Sequence, residues 1–95
     1  MVIAEITITP VVGGALRPYI DAAVDVVRKS GLNYEVEAMG TTIEGELDQV
    51  LEVVRKAHEA VRQKGADRVL TEVKIDDRAG GVTMNEELED YRSSV

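Results

Sequence analysis

Tyr34-Glu35-Val36-Glu37-Ala38-Met39-Gly40-Thr41-Thr42-Ile43-Glu44-Gly45 is the stretch whose reading decides the fold. Its first half alternates polar and apolar side chains, the period-two signature of a strand with one buried face. Met39-Gly40 fits a two-residue turn, because glycine accepts positive φ without steric cost. With that turn, Ala38 pairs with Thr41, Glu37 with Thr42, and Val36 with Ile43. The register is self-consistent: Val36 and Ile43 share one face, while Glu35, Glu37, Thr42 and Glu44 share the other. The stretch therefore predicts a β-hairpin with an apolar side and an acidic side, feeding directly into a long amphipathic helix.

Upstream, Val2, Ala4, Ile6 and Ile8 alternate with Ile3, Glu5, Thr7 and Thr9, which predicts a strand ended by Pro10. A loop through Val11-Val12-Gly13-Gly14 follows. Pro18 suits the first turn of a helix, where its missing N–H costs nothing, and Ile20, Ala23, Val24 and Val27 form its apolar stripe. Arg28 and Lys29 complement the negative end of the helix dipole, and Gly31 caps it. Downstream of the hairpin, Leu47, Val50, Leu51, Val54, His58 and Val61 mark a second helix, closed by Gly65. A strand from about Arg68 to Asp76 then turns Val69, Thr71, Val73 and Ile75 inward, and Leu70, Glu72, Lys74 and Asp76 outward.

The order is βαββαβ, with a glycine handing each helix to a strand, a weak internal repeat. Right-handed crossovers then predict an α+β ferredoxin-like sandwich, a four-stranded antiparallel sheet with both helices on one face. After a polar turn, Thr83 and Glu86 make a capping box for a short C-terminal helix, with Met84, Leu88, Tyr91 and Val95 on its apolar side.

The 95 residues predict one domain, 1–95, with a modest core. Without Phe or Trp that core is built from Val, Ile, Leu and Ala, and its thinness predicts a homo-oligomer. Eighteen acidic against 11 basic side chains give a net charge of -7, which argues against a nucleic-acid partner. The lack of cysteine excludes disulfides, thiolate catalysis and cysteine metal sites. No apolar run approaches the roughly 20 residues of a membrane span, and the N-terminus lacks a signal-peptide pattern. A cytoplasmic protein with no membrane partner is the expectation; cationic small molecules and protein partners stay open.

Helices on one face leave Glu5, Thr7, Thr9, Glu35, Glu37, Thr42, Glu44, Glu72, Lys74 and Asp76 on the other. With the first and third strands central, Glu5 and Thr7 lie beside Thr42 and Glu44. That face reads either as solvated acidic surface or as a polar site, partly covered by another subunit, for a positively charged small molecule. Catalysis has few candidates. His58 is the single histidine and sits on an apolar stripe, where a packed, hydrogen-bonded role is expected, and no nucleophile–base pair can be assembled. Glu35 and Glu44 offer a hard cation two carboxylates, yet no Ca²⁺-loop spacing appears and no metal site is expected. Gly13-Gly14 with Arg17 reads as an anion cradle or, more simply, as a flexible connection.

Four stretches occur together in one order: the opening strand ending Ile8-Thr9-Pro10, the Met39-Gly40-Thr41-Thr42-Ile43-Glu44-Gly45 hairpin, Lys56-Ala57-His58-Glu59-Ala60, and Lys74-Ile75-Asp76-Asp77-Arg78. In this the chain resembles the small thiamine-binding-protein family, related to the tandem-domain hydroxymethylpyrimidine/thiamine-binding proteins. The resemblance runs over nearly the whole chain, to Ser94-Val95. It implies a ferredoxin-like subunit of a homotetramer that binds thiamine or its pyrimidine moiety, hydroxymethylpyrimidine, without catalysis and near subunit contacts. Thiamine's permanent positive charge suits the acidic face. The expected ligand-binding set is Glu5, Thr7, Glu37, Met39, Thr42 and Glu44, with no cofactor besides that ligand. The competing reading is an oligomeric structural or regulatory module with no small-molecule ligand. The chain departs from the family pattern in its first loop, Pro10 to Pro18, which has no hydroxyl side chain where the family's loop is rich in Gly, Thr and Ser. If that loop contributes ligand contacts, the expectation is altered affinity or specificity, or loss of binding.

Overall fold

The computed structural model describes residues 1–85. β1 (Val2–Pro10), α1 (Arg17–Lys29), β2 (Asn33–Glu37), β3 (Gly40–Gly45), α2 (Leu47–Gln63) and β4 (Val69–Asp76) follow in the predicted order. The sheet runs β2-β3-β1-β4 with every neighbouring pair antiparallel, the ferredoxin-like arrangement, and β1 and β3 are central. Pro18 stands in the first turn of α1. Gly31, just past its end, takes φ 79°, the left-handed conformation that closes a helix without a Cβ penalty. At the start of α2 the Glu46 N–H donates to Gln49 Oε1 at 3.0 Å, satisfying a backbone donor that the helix itself leaves open.

Val2, Ala4 and Ile6 of β1 and Ile43 of β3 meet Val27 of α1 and Val50 and Val53 of α2 in the core. The two helices fill their predicted segments, and their buried faces match expectation in part: Val27, Val50 and Val61 are buried as expected. In α2 the buried residues are Val50, Val53, Ala57 and Val61, while Leu47 and Leu51 of the expected stripe are 41% and 47% exposed. Two adjacent apolar tracks run along this helix, and the one carrying the smaller side chains lies against the sheet. In α1 only Val27 is buried and Ile20 is 43% exposed, because the N-terminal half of this helix borders a cleft.

The hairpin turn is Ala38-Met39, not Met39-Gly40. Observed partners are Tyr34 with Ile43, Glu35 with Thr42, Val36 with Thr41 and Glu37 with Gly40. The expected register, with Val36 opposite Ile43, is thus displaced by two residues. An even displacement keeps every side chain on its predicted face, so the apolar and acidic sides stand. Gly40 does not have positive φ. Its requirement comes instead from close approach to β1: a Cβ there would lie 3.0 Å from the Ile6 carbonyl oxygen and 3.0 Å from Thr7 Oγ1.

Beyond β4 the chain turns, with Gly81 N–H donating to Arg78 O at 2.8 Å, and Val82 and Met84 are buried. The expected C-terminal helix and its Thr83–Glu86 capping box fall for the greater part outside the described residues. Among the described residues no helix is long and apolar enough to cross a membrane.

Candidate functional site

β1 outruns the hairpin. Its last pair with β3 is Ile6 with Thr41, whereas its pairing with β4 continues to Pro10 with Val69. Beyond Ile6 the strand therefore has β4 on one edge and a notch on the other. A cleft of about 190 Å³ opens there, walled by Ile6 and Ile8 of β1, Val36 and Thr41 of the hairpin, and Ile20 and Val24 of α1.

Strand geometry settles which backbone groups reach this notch. On the β4 side the Val11 N–H donates to Arg68 O at 2.8 Å, while the Ile6 carbonyl lies on the β3 side beside Gly40. Odd-numbered residues of β1 thus aim their backbone groups at β4, and even-numbered ones at β3. Ile8 is even-numbered and stands past the end of β3. Its N–H and C=O consequently point into the notch, a donor and an acceptor on one strand edge beside apolar walls.

The rim is tied down by two hydroxyls. Thr7 Oγ1 donates to the Met39 carbonyl at 3.1 Å, fixing the turn against β1. Thr42 Oγ1 donates to Glu37 Oε1 at 2.7 Å, holding that carboxylate on the open face behind the turn. Met39 itself is 84% exposed on the rim.

Of the six residues expected to bind ligand, Thr7, Glu37 and Met39 come together at this cleft. Glu5 lies on the open face between Thr42 and Lys74. Glu44 sits opposite Ile3 and is already engaged, accepting from Asn33 Nδ2 at 2.9 Å and from the Met84 N–H at 2.8 Å. Those two bonds fasten the β2–β3 ribbon and the segment after β4 to the open face. His58 Nδ1 lies 2.6 Å from Thr71 Oγ1, a packed tether between α2 and β4. Among the described residues no group of three His, Cys, Asp or Glu is placed to hold a metal ion.

Sequence reasoning passed over Ile8, Ile20, Val24 and Val36 as wall residues of a cleft. The available signal was strand length. A nine-residue β1 beside a six-residue β3 must overhang the hairpin, and the overhang becomes a notch once the turn is placed at Ala38-Met39.

Comparison with known proteins gives one consistent set of relatives. The model of the thiamine-binding protein family matches residues 4–92. A UPF0045 protein from Methanothermobacter thermautotrophicus is 47% identical over 81 residues, 82% of each chain. A solved domain of unknown function from Bacillus cereus superposes with a TM-score of 0.89 at 40% identity, covering 98% of this chain and 91% of that one. A Thermotoga maritima protein proposed to act in thiamine biosynthesis or salvage superposes with a TM-score of 0.87 at 32% identity, covering 96% of this chain and 98% of that one.

Proposed function

The chain belongs to the thiamine-binding protein family, and from that premise we propose that it binds thiamine or its hydroxymethylpyrimidine moiety, without catalysis, in the notch at the hairpin turn. The observation that carries this reading is the Ile8 backbone edge facing an apolar cleft. An aminopyrimidine presents a ring nitrogen that accepts beside an exocyclic amine that donates. Ile8 N–H and C=O complement that pair as a neighbouring strand would. Ile20, Val24 and Val36 offer apolar surface to the ring faces. Glu37, a lining residue whose carboxylate lies on the adjoining open face, suits the positive charge that thiamine carries. The reading includes a cytoplasmic homo-oligomer, with a tetramer favoured by the family resemblance. In it Glu44 is structural, Thr42 holds Glu37, and Glu5 stands on the open face behind the rim, away from the ligand.

Calorimetric titration with hydroxymethylpyrimidine and with thiamine tests it. Both ligands are expected to give heat with the native chain. Val24→Trp, which fills the cleft from α1, is expected to weaken both at least about tenfold, the loss of roughly 1.4 kcal/mol, while a thermal melt confirms folding. Glu5→Gln, on the open face, is expected to stay within about threefold, below roughly 0.7 kcal/mol. The opposite ranking moves the ligand to the open face. No heat with either ligand leaves the structural-module reading in its place.

A further inference from the structure

We propose that the Thr41 hydroxyl sets which ring the cleft accepts, by donating to a second ring nitrogen and so preferring a diazine to a ring with one nitrogen. The inference rests on the cleft being the ligand site and adds the ring chemistry it takes. Thr41 lies opposite Ile6 of β1 and Val36 of β2, and residues paired across strands share a face. Ile6 belongs to the core, so the Thr41 side chain stands on the helix side of the sheet, among the apolar walls of the cleft. Thr42, the next residue, turns to the open face.

Thr7, Thr42 and Thr71 each hold a partner: the Met39 carbonyl, the Glu37 carboxylate and the His58 ring. Thr41 Oγ1 makes no hydrogen bond among the described residues. Its neighbours on the helix side, Ile6, Val36 and Ile43, are aliphatic. Packing alone would take valine at this position, which has the same shape and no polar group to desolvate. A polar group kept where an apolar one would pack better points to function, not to folding.

The position also fits the orientation that Ile8 sets. Ile6, opposite Thr41, precedes Ile8 by two residues, about 6.6 Å along the strand. A six-membered ring with one edge on the Ile8 N–H and C=O spans a distance of that order once a hydrogen bond of about 3 Å is added on its far side. In an aminopyrimidine the amine and the ring nitrogen beside it meet Ile8. The second nitrogen, across the ring from the amine-bearing carbon, is then an acceptor facing away from that edge. Among the described lining side chains, Thr7 is bonded to Met39 and Glu37 to Thr42, which leaves the Thr41 O–H to meet it.

Calorimetry on the native chain, Thr41→Val and Thr41→Ser tests this with two ligands, at a pH above the range in which either ring is protonated. One ligand is hydroxymethylpyrimidine. The other is its pyridine analogue, with C–H in place of the nitrogen across from the amine-bearing carbon. The native chain is expected to bind hydroxymethylpyrimidine about five- to tenfold more tightly than the analogue, the effect of one neutral hydrogen bond. Thr41→Val is expected to lose about that factor for hydroxymethylpyrimidine and to bind the two ligands within about twofold of each other. Thr41→Ser keeps the hydroxyl and is expected to stay within about threefold of native, with the preference preserved. Thr41→Val is expected to melt at or above the native temperature, since the hydroxyl it loses has no partner in the fold. A melt well below native gives the hydroxyl a structural role and overturns the assignment. Native affinity retained in Thr41→Val, or a preference between the ligands that survives the loss of the hydroxyl, overturns it while leaving the cleft reading intact. No heat with hydroxymethylpyrimidine on the native chain removes the cleft reading and this one together.

Discussion

Gly40 illustrates how a single residue can be placed well and explained badly from sequence. Its position between two strands suggests a turn glycine with positive φ, but its φ is ordinary and its neighbour β1 supplies the constraint. Gly40→Ala should therefore destabilise by overpacking, by about 1–3 kcal/mol, because one of the two atoms it meets at 3.0 Å is the Ile6 carbonyl oxygen, part of the backbone of a central strand. Equilibrium denaturation measures this. A neutral result would mean that β1 and the hairpin separate freely, and the rim described for the cleft would not be rigid. Glu44 is the complementary case. Its donors lie 11 and 40 positions away in the chain, and no local pattern announces them. His58 was legible because its chemistry followed from its place on a helix stripe; only its partner Thr71 required the fold.

At the level of elements, periodicity reports that a face exists more reliably than which face it is. On α2 the residues Leu47, Leu51, Val54 and His58 keep helical spacing, and so do Val50, Val53, Ala57 and Val61. The second track is the buried one. Two tracks one residue apart are indistinguishable until the sheet below is given a position, and Leu carries more apolar surface than Val or Ala. Val53→Ala is accordingly expected to cost about 1.5–2 kcal/mol, from two buried methyl groups and the space they leave. Leu51→Ala in the isolated subunit should cost under about 1 kcal/mol. Denaturation at low protein concentration ranks the two, and the reverse order would return the helix to its expected orientation. The hairpin teaches the same lesson in the other period. Side-chain parity was readable because any even slip preserves it, but the two-residue error hid the overhang of β1 and with it the cleft. The strand order, by contrast, followed from the crossovers alone.

For the whole molecule the decisive feature is the edge made by β4 and the flank of α2 above it. The His58–Thr71 contact fixes their relative position. From His58, seven residues back along α2 is about 10.5 Å at 1.5 Å per residue, and returns to the same side of the helix at Leu51. The same distance along β4 is about three residues at 3.3 Å each. Because α2 and the strand that follows it run in opposite directions, Leu51 arrives level with Val73 and Ile75. These three are 47%, 38% and 37% exposed, and Leu47, one turn further, is 41% exposed. An apolar flank beside a strand edge that has no partner among the described residues is the kind of surface that soluble monomers guard or cover. The core beneath it is made from small aliphatic side chains, so further burial by association would add what the single subunit lacks. We expect a second copy of the chain to cover this edge, and light scattering at micromolar concentration to give a dimer or tetramer. Leu51→Glu is expected to shift the mass toward the monomer while leaving far-ultraviolet circular dichroism unchanged, since Leu51 is outside the core of its own subunit. If the native chain scatters as a monomer, the edge is tolerated uncovered and the homo-oligomer must be abandoned. If it assembles but Leu51→Glu assembles equally well, the contact lies elsewhere, and the open acidic face carrying Glu5 and Glu35 is the next surface to probe.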